Sequence, residues 1–175
     1  MPQLSADVIE QKVPVRVLRG GADLSQRLLN FQTPVILAVS GHALAMGALL
    51  LLSADYRIGT RGNFKIGLNE VAIGMSLPWF GIELARARIA GVHLNNAVSL
   101  ARIYDADAAI AVGYLDEAVD ADELLPRAIT MAEDLGKLDM HAHQQTKARL
   151  REGLNAALAT AFEKETAESP FAAQQ

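Results

Sequence analysis

The 175-residue sequence contains no cysteine. That excludes a disulfide framework and any thiolate metal site. Aromatic residues make up only 5%, too few for the stacking platforms that hold single-stranded nucleic acid. Neither sign of charge is in large excess, with 16 Lys and Arg against 20 Asp and Glu and a formal net charge of −4. This balance gives no global drive towards nucleic acid or anionic lipid, and neither is expected as a partner. The N-terminal stretch MPQLSADVIEQKVPVRV has no basic segment followed by an apolar one. It is therefore not expected to act as a secretory signal, and a cytoplasmic location is expected. No Walker-type or dinucleotide-type Gly-rich phosphate loop occurs. What the chain has in quantity is apolar side chain, 51% against 21% charged. That is enough for a core and too much for disorder. The length fits one domain or at most a tight pair.

From Thr33 to Ala54 there is no arginine, lysine, aspartate or glutamate, a run long enough to span a bilayer. Pro34, Ser40, Gly41 and His42 divide it. Val35–Val39 is β-branched and short, like a buried strand. Ala43–Ser53 is rich in Ala, Leu and Met, like a buried helix. A strand, a turn and a buried helix account for the run without a membrane.

The pattern along the rest of the chain is α/β, with helices accumulating towards the C-terminus. Residues 1–21 read as irregular, punctuated by Pro2, Pro14 and Gly20-Gly21. A short helix is predicted over Asp23–Phe31, and strands over Asp55–Gly59, Phe64–Ile66 and Leu115–Val119. Pro78 suits the first turn of a helix reaching Ile89. Further helices are predicted over His93–Arg102 and Asp105–Gly113. Asp120 or Asp122 can cap a helix whose Leu125, Ile129, Ala132 and Leu135 share a spacing. One long amphipathic helix is predicted from Met140 to about Glu165, with Leu150, Leu154, Leu158 and Ala161 as its stripe. Ser169–Gln175 reads as a frayed tail.

Two segments suggest chemistry. Ser40–Ala48 follows a strand and opens a helix, and a helix start leaves backbone N–H groups pointing outward. Small residues there let a ligand approach, as an oxyanion hole requires. The same residues also suit tight helix–strand packing. Glu70 lies in the largely apolar stretch Ile66–Met75, where burial would raise its pKa into a range useful for proton transfer. The competing reading is an exposed loop glutamate, or an ion pair with Arg57 or Lys65.

These segments, with Thr33-Pro34-Val35-Ile36, Gly41-His42-Ala43-Leu44, Ser53–Ile58, Phe64–Val71 and Ala109–Val119, resemble the enoyl-CoA hydratase/isomerase family, the crotonase superfamily. The resemblance runs from about Leu28 into the 150s. Gly67-Leu68-Asn69-Glu70, followed by Gly74 and Pro78-Trp79, is most similar to the Δ3,Δ2-enoyl-CoA isomerase branch. It implies an α/β fold with a crotonase-like (ClpP/crotonase) ββα spiral core. On that reading residues 1–120 form a partial core, short at its N-terminal end. Residues 121–175 form a C-terminal helical region used in oligomerisation.

The resemblance also assigns roles. Glu70 falls on the proton-shuttling glutamate. The backbone N–H that binds the thioester oxygen falls on Met46, beside Gly47, and the Met46 Cβ would narrow the site. Hydratases carry a second glutamate where this chain has Leu49, so an isomerase is implied rather than a hydratase. Leu49, Trp79 and Phe80 are candidates for the acyl pocket, Trp79 and Phe80 alternatively for an interface. The implied substrate is an acyl-CoA thioester, with no cofactor beyond its coenzyme A, no metal, and a homotrimer or hexamer as the assembly. His42 reads as a packed or capping residue. His141 and His143 lie on different helix faces and do not suit a metal. Lys147, Arg149 and Arg151 read as a solvated basic face, with phosphate contact as the alternative. Family members carry a loop with a second oxyanion donor near the N-terminus. Leu4–Asp7 is at best its remnant, which would cost on the order of a hundredfold in rate and leave a sheet edge open. A non-catalytic or truncated protein, or another reaction such as enoyl-CoA hydration, is the alternative reading.

Overall fold

The computed structural model describes residues 15–168. The readings on Leu4–Asp7 and on the tail Ser169–Gln175 lie outside the described residues. Helix α1 spans Val15–Leu29, longer than the predicted Asp23–Phe31, and it passes through both glycines of the expected irregular segment. Glycine costs a helix about 1 kcal/mol relative to alanine, and here packing offsets the cost. A Cβ at Gly21 would stand 2.5 Å from Met46 Sδ, so the missing side chain makes room for the thioether.

The charge-free run divides as its composition predicts. Strand β1 is Ile36–Val39, β2 is Ala43–Leu44, and the buried helix α2 is Met46–Ser53. Strands β3 (Tyr56–Thr60) and β4 (Ile66–Gly67) follow, with β5 (Glu117–Val119) much later. All strand pairings are parallel. One sheet has the order β1-β3-β5, and β2 pairs with β4 in a second. The first two turns of the chain each add one strand to each sheet, as in a ββα spiral, and β5 adds a third strand to the first sheet. β1 is half-buried rather than buried, and Ala38 is exposed. Among the described residues it is an edge strand, paired on one side only. No helix among the described residues is long and apolar enough to cross a membrane.

Helix α3 is Trp79–Arg88 with Pro78 at its N-cap, and α4 is Gly91–Val98. The second ends four residues before the predicted Arg102, and the chain then turns through Ala101 at φ 48°. Helix α5 (Ala106–Val112) starts where Asp105 accepts from the Ala108 N–H at 2.8 Å. It stops at Gly113, with φ 105°. A Cβ there would lie 2.5 Å from the Arg88 carbonyl, so only glycine fits.

The last three helices depart most from the sequence pattern. In α6 (Leu124–Leu135) neither Asp120 nor Asp122 caps, and Glu123 occupies the N-cap without a side-chain bond. The inward residues are Leu124, Ala128 and Met131, packed on Ile58 and Val119. Leu125 and Ile129, which set the predicted helical spacing, are 64% and 51% exposed. The helix has two apolar faces, and only the sheet beneath selects between them. The predicted single long helix is two, α7 (Met140–Leu150) and α8 (Glu152–Glu168). Leu150 is exposed, while Leu154, Leu158 and Ala161 keep the inward stripe.

The break falls at Arg151, whose guanidinium turns inward to the Leu29 carbonyl and to Asp55 Oδ1, the latter at 2.8 Å. Lys147 Nζ reaches Asp55 Oδ2 at 2.6 Å. Both cations are buried, which corrects the solvated basic face; only Arg149 stays exposed. Asp55 Oδ2 also accepts from the Val35 N–H at 2.7 Å. One carboxylate therefore ties α7 and α8 to the start of β1 and the end of α1.

Candidate active site

The β2–β4 pairing brings the two chemically suggestive segments together. Ala43 lies opposite Ile66 and Leu44 opposite Gly67. The Ala45 N–H extends the ladder to the Gly67 carbonyl at 3.1 Å. The start of α2 and the loop that carries Glu70 thus leave the sheet side by side.

At that start Ala45 has φ 50° and ψ −120°, a conformation glycine adopts freely and alanine only under strain, of order 1–3 kcal/mol. The strained residue turns the chain into the helix. The Ala45 carbonyl accepts from Leu49 N–H at 3.1 Å. The N–H groups of Met46, Gly47 and Ala48, in the turn before it, have no acceptor within the helix. They carry the positive end of the helix dipole, and this is the geometry an oxyanion needs. The outer atoms of the Met46 side chain lie away from the helix start. They run back against Gly21 of α1. A Cβ at Gly47 would meet nothing closer than 3.9 Å, so the helix start is uncrowded.

Glu70 is 6% exposed and begins a short 3-10 turn, Val71–Ile73. Its own carbonyl accepts from the Ile73 and Met75 N–H groups at 3.0 and 2.9 Å, which fixes the loop. The expected alternatives do not hold. Arg57 pairs with Asp116 at 2.7 Å, and no ion pair involving Glu70 occurs among the described residues. Glu70 Oε2 is buried and has no hydrogen-bond partner there. Burial raises the Glu70 pKa above the ordinary carboxylate value, opposed only by its own backbone N–H. A buried carboxylate with no counter-ion changes protonation state at little cost, which suits proton transfer.

The pocket candidates have separate fates. Leu49 is 1% exposed. It packs on Gly81 of α3, where a Cβ would come within 3.3 Å of its methyl groups. Phe80 is fully buried in the core, its ring 6.0 Å from that of Phe162 on α8. Trp79 is half-buried under α8: Glu165 accepts from its backbone N–H at 2.7 Å, and Lys164 Nζ stands 4.6 Å from its ring centre. His42, expected as a packed or capping residue, is exposed; its Nδ1 accepts from the Lys65 N–H at 2.9 Å and its ring lies edge-on to Phe64. Among the described residues no group of three His, Cys, Asp or Glu is placed to hold a metal.

Two buried tyrosines escaped the sequence reading. Tyr104 bridges Ile66 through two backbone bonds of 2.9 Å. Tyr114 follows Gly113, its ring 6.0 Å from that of Tyr104. The one available signal was an aromatic residue directly after a left-handed glycine.

A family model described as enoyl-CoA hydratase/isomerase matches residues 15–173. A solved structure of an enoyl-CoA hydratase/isomerase family protein from Pseudomonas syringae is 45% identical with a TM-score of 0.85. It covers 86% of this chain and 66% of that one. The human mitochondrial Δ3-Δ2-enoyl-CoA isomerase is 25% identical with a TM-score of 0.80, covering 85% of this chain and 58% of that one. Structures of proteins named as hydratases are similar as well. The fatty acid oxidation complex subunit alpha of Colwellia psychrerythraea is 34% identical over 131 residues, which is 72% of this chain and 18% of that protein. The chain therefore spans about a fifth of the length of that curated relative.

Proposed function

The chain belongs to the enoyl-CoA hydratase/isomerase family, and we propose that it moves the double bond of a 3-enoyl-CoA thioester into conjugation. The observation that carries this reading is a single buried, counter-ion-free carboxylate, Glu70, beside the open start of α2. Moving a double bond asks for one base that takes a proton and gives it back. Adding water asks for two carboxylates, and the second position is held by Leu49, deep in the core.

The thioester oxygen lies against the Met46 N–H, with Gly47 beside it. Ionised Glu70 removes a proton from C2, and the electron pair of that C–H bond moves towards the carbonyl, forming a dienolate. The first-turn N–H groups of α2 stabilise its negative oxygen. Glu70, now protonated, delivers the proton to C4, and the double bond settles between C2 and C3. The pKa-raising burial favours this return step as much as the first, because a base matched to working pH serves both directions.

The acyl-CoA thioester is the substrate, and the reaction uses no cofactor beyond the coenzyme A it carries. The exposed apolar stripe of Leu125 and Ile129 supports assembly of several copies, as a trimer or hexamer, through the C-terminal helical region of residues 121–175. A cytoplasmic setting is part of this proposal.

Hydration is the second reading, favoured by the similar structures named as hydratases. One assay separates the two. The protein is mixed first with a 3-enoyl-CoA and then with a 2-enoyl-CoA, and the absorbance of the conjugated thioester is followed. An isomerase generates that absorbance from the first and leaves it unchanged with the second. A hydratase removes it from the second. A well-folded protein that does neither supports the non-catalytic alternative.

A further inference from the structure

The Gly67–Glu70 loop is the centre of a concentration of unpaired polar atoms. Asn69 Oδ1 and Glu70 Oε2 on the loop, and the hydroxyls of Tyr104 and Tyr114 beside it, are all buried without a hydrogen-bond partner among the described residues. Buried polar groups are almost always satisfied, so a group of orphans at one place calls for a reason. Tyr104 is held against the loop by its two-way backbone bridge to Ile66. Tyr114 is 0% exposed and packs on Tyr104. Among these atoms are a carboxylate oxygen that needs a donor and a phenol that has a proton to offer.

Resting on the reading of Glu70 as the base, we propose that Tyr114 is a positioning residue, whose hydroxyl donates to the Glu70 carboxylate and holds it ionised and aimed at C2. The proposed bond requires rotation about the Glu70 side-chain bonds to bring the pair together. Tyr114 moves no proton itself. Burial raises its pKa well above the ordinary phenol value, helped by Tyr104 and by the Glu70 charge, with the nearby Leu68 N–H, short of hydrogen-bond geometry, opposing. The hydroxyl therefore stays a donor at any working pH. The other group facing the pair is Tyr104, with the Arg102 guanidinium 5.6 Å from its ring centre. The shift of Glu70 is caused by burial rather than by a neighbouring charge, so a single added donor has a clear effect on it.

The test is a carboxyl-carbon NMR titration of protein labelled at glutamate, with the Glu70 resonance identified by its loss in Glu70→Gln. Tyr114→Phe keeps the ring and its packing and removes only the donor. It should move the Glu70 midpoint up by about 0.5–1 pH unit, which is a 3- to 10-fold loss of ionised base below the midpoint. A 3-fluorotyrosine at position 114, a stronger donor, should move the midpoint down. Tyr104→Phe removes a neighbouring buried hydroxyl and should move it less than Tyr114→Phe does. In an isomerase assay the acid limb of kcat should follow the midpoint while KM holds. An unmoved midpoint in both position-114 variants overturns the proposal, even if turnover falls. A moved midpoint in a protein that does not isomerise 3-enoyl-CoA keeps the Tyr114 assignment and sinks the isomerase reading instead.

Discussion

Asp55 and Glu70 are both largely buried carboxylates, 15 residues apart in sequence, and they are treated in opposite ways. Asp55 is surrounded by donors: Lys147, Arg151 and the Val35 N–H. Each of its neighbours is itself buried or tied to the sheet. Among the described residues Glu70 has one oxygen without a partner and no ion pair. A fully paired buried charge is part of the framework, because changing its protonation state would break several bonds at once. An unpaired one is expensive to keep charged and correspondingly ready to exchange a proton. The difference in partners, more than the depth of burial, separates a structural carboxylate from a chemical one.

Breaking the framework side should give the largest effect on stability. Asp55→Asn strands Lys147 and Arg151 in the interior, and should cost about 3–5 kcal/mol in urea unfolding. That is a large share of the 5–15 kcal/mol typical of a domain. A cost below about 1 kcal/mol would mean that the cluster is not the tie holding α7 and α8. Gly113→Ala strikes between the two regions. The Gly113 carbonyl accepts from Arg57 at 2.9 Å, and its chain neighbour is Tyr114. Left-handed strain and the contact with the Arg88 carbonyl should cost about 2 kcal/mol or more, again read from unfolding midpoints.

The smallest effect has the opposite sign. Because burial raises the Glu70 pKa, the folded state binds more protons than the unfolded one between the two pKa values. Stability from this group is full below the ordinary carboxylate value and is lost as pH rises through the raised one. Glu70→Gln removes that loss. The variant should melt slightly higher than the parent at pH 7, and the gain should shrink to nothing as pH falls below the unfolded carboxylate range. Equal melting curves at pH 7 would mean that Glu70 is not strained by burial.

The sequence disclosed the Glu70 side of the contrast far better than the Asp55 side. Local signals marked the candidate site, with small residues at a helix start and a carboxylate in an apolar stretch, and Asp105 and Gly113 marked the ends of α5. The framework depends on partners far apart in the chain. Asp55 lies 92 residues from Lys147 and 96 from Arg151, and nothing near either cation shows that it turns inward. For the same reason the helix break at Arg151 was hidden under a continuous apolar stripe. The face of α6 depends on Ile58 and Val119, and α1 carries Gly21 where Met46 needs the space. The acyl-pocket candidates were chosen for being large and apolar. That property alone does not distinguish Phe80, packed on Phe162, from a residue facing a ligand.

The central claim is that the unpaired carboxylate does the chemistry. The most direct measurement is the single-turnover rate of 3-enoyl-CoA isomerisation in the parent and in Glu70→Gln, with both shown to be folded by circular dichroism. Removing a general base that carries both proton steps should slow conversion by at least about 10²–10⁴-fold. A Glu70→Gln variant that forms the conjugated product at the parent's rate would contradict the account.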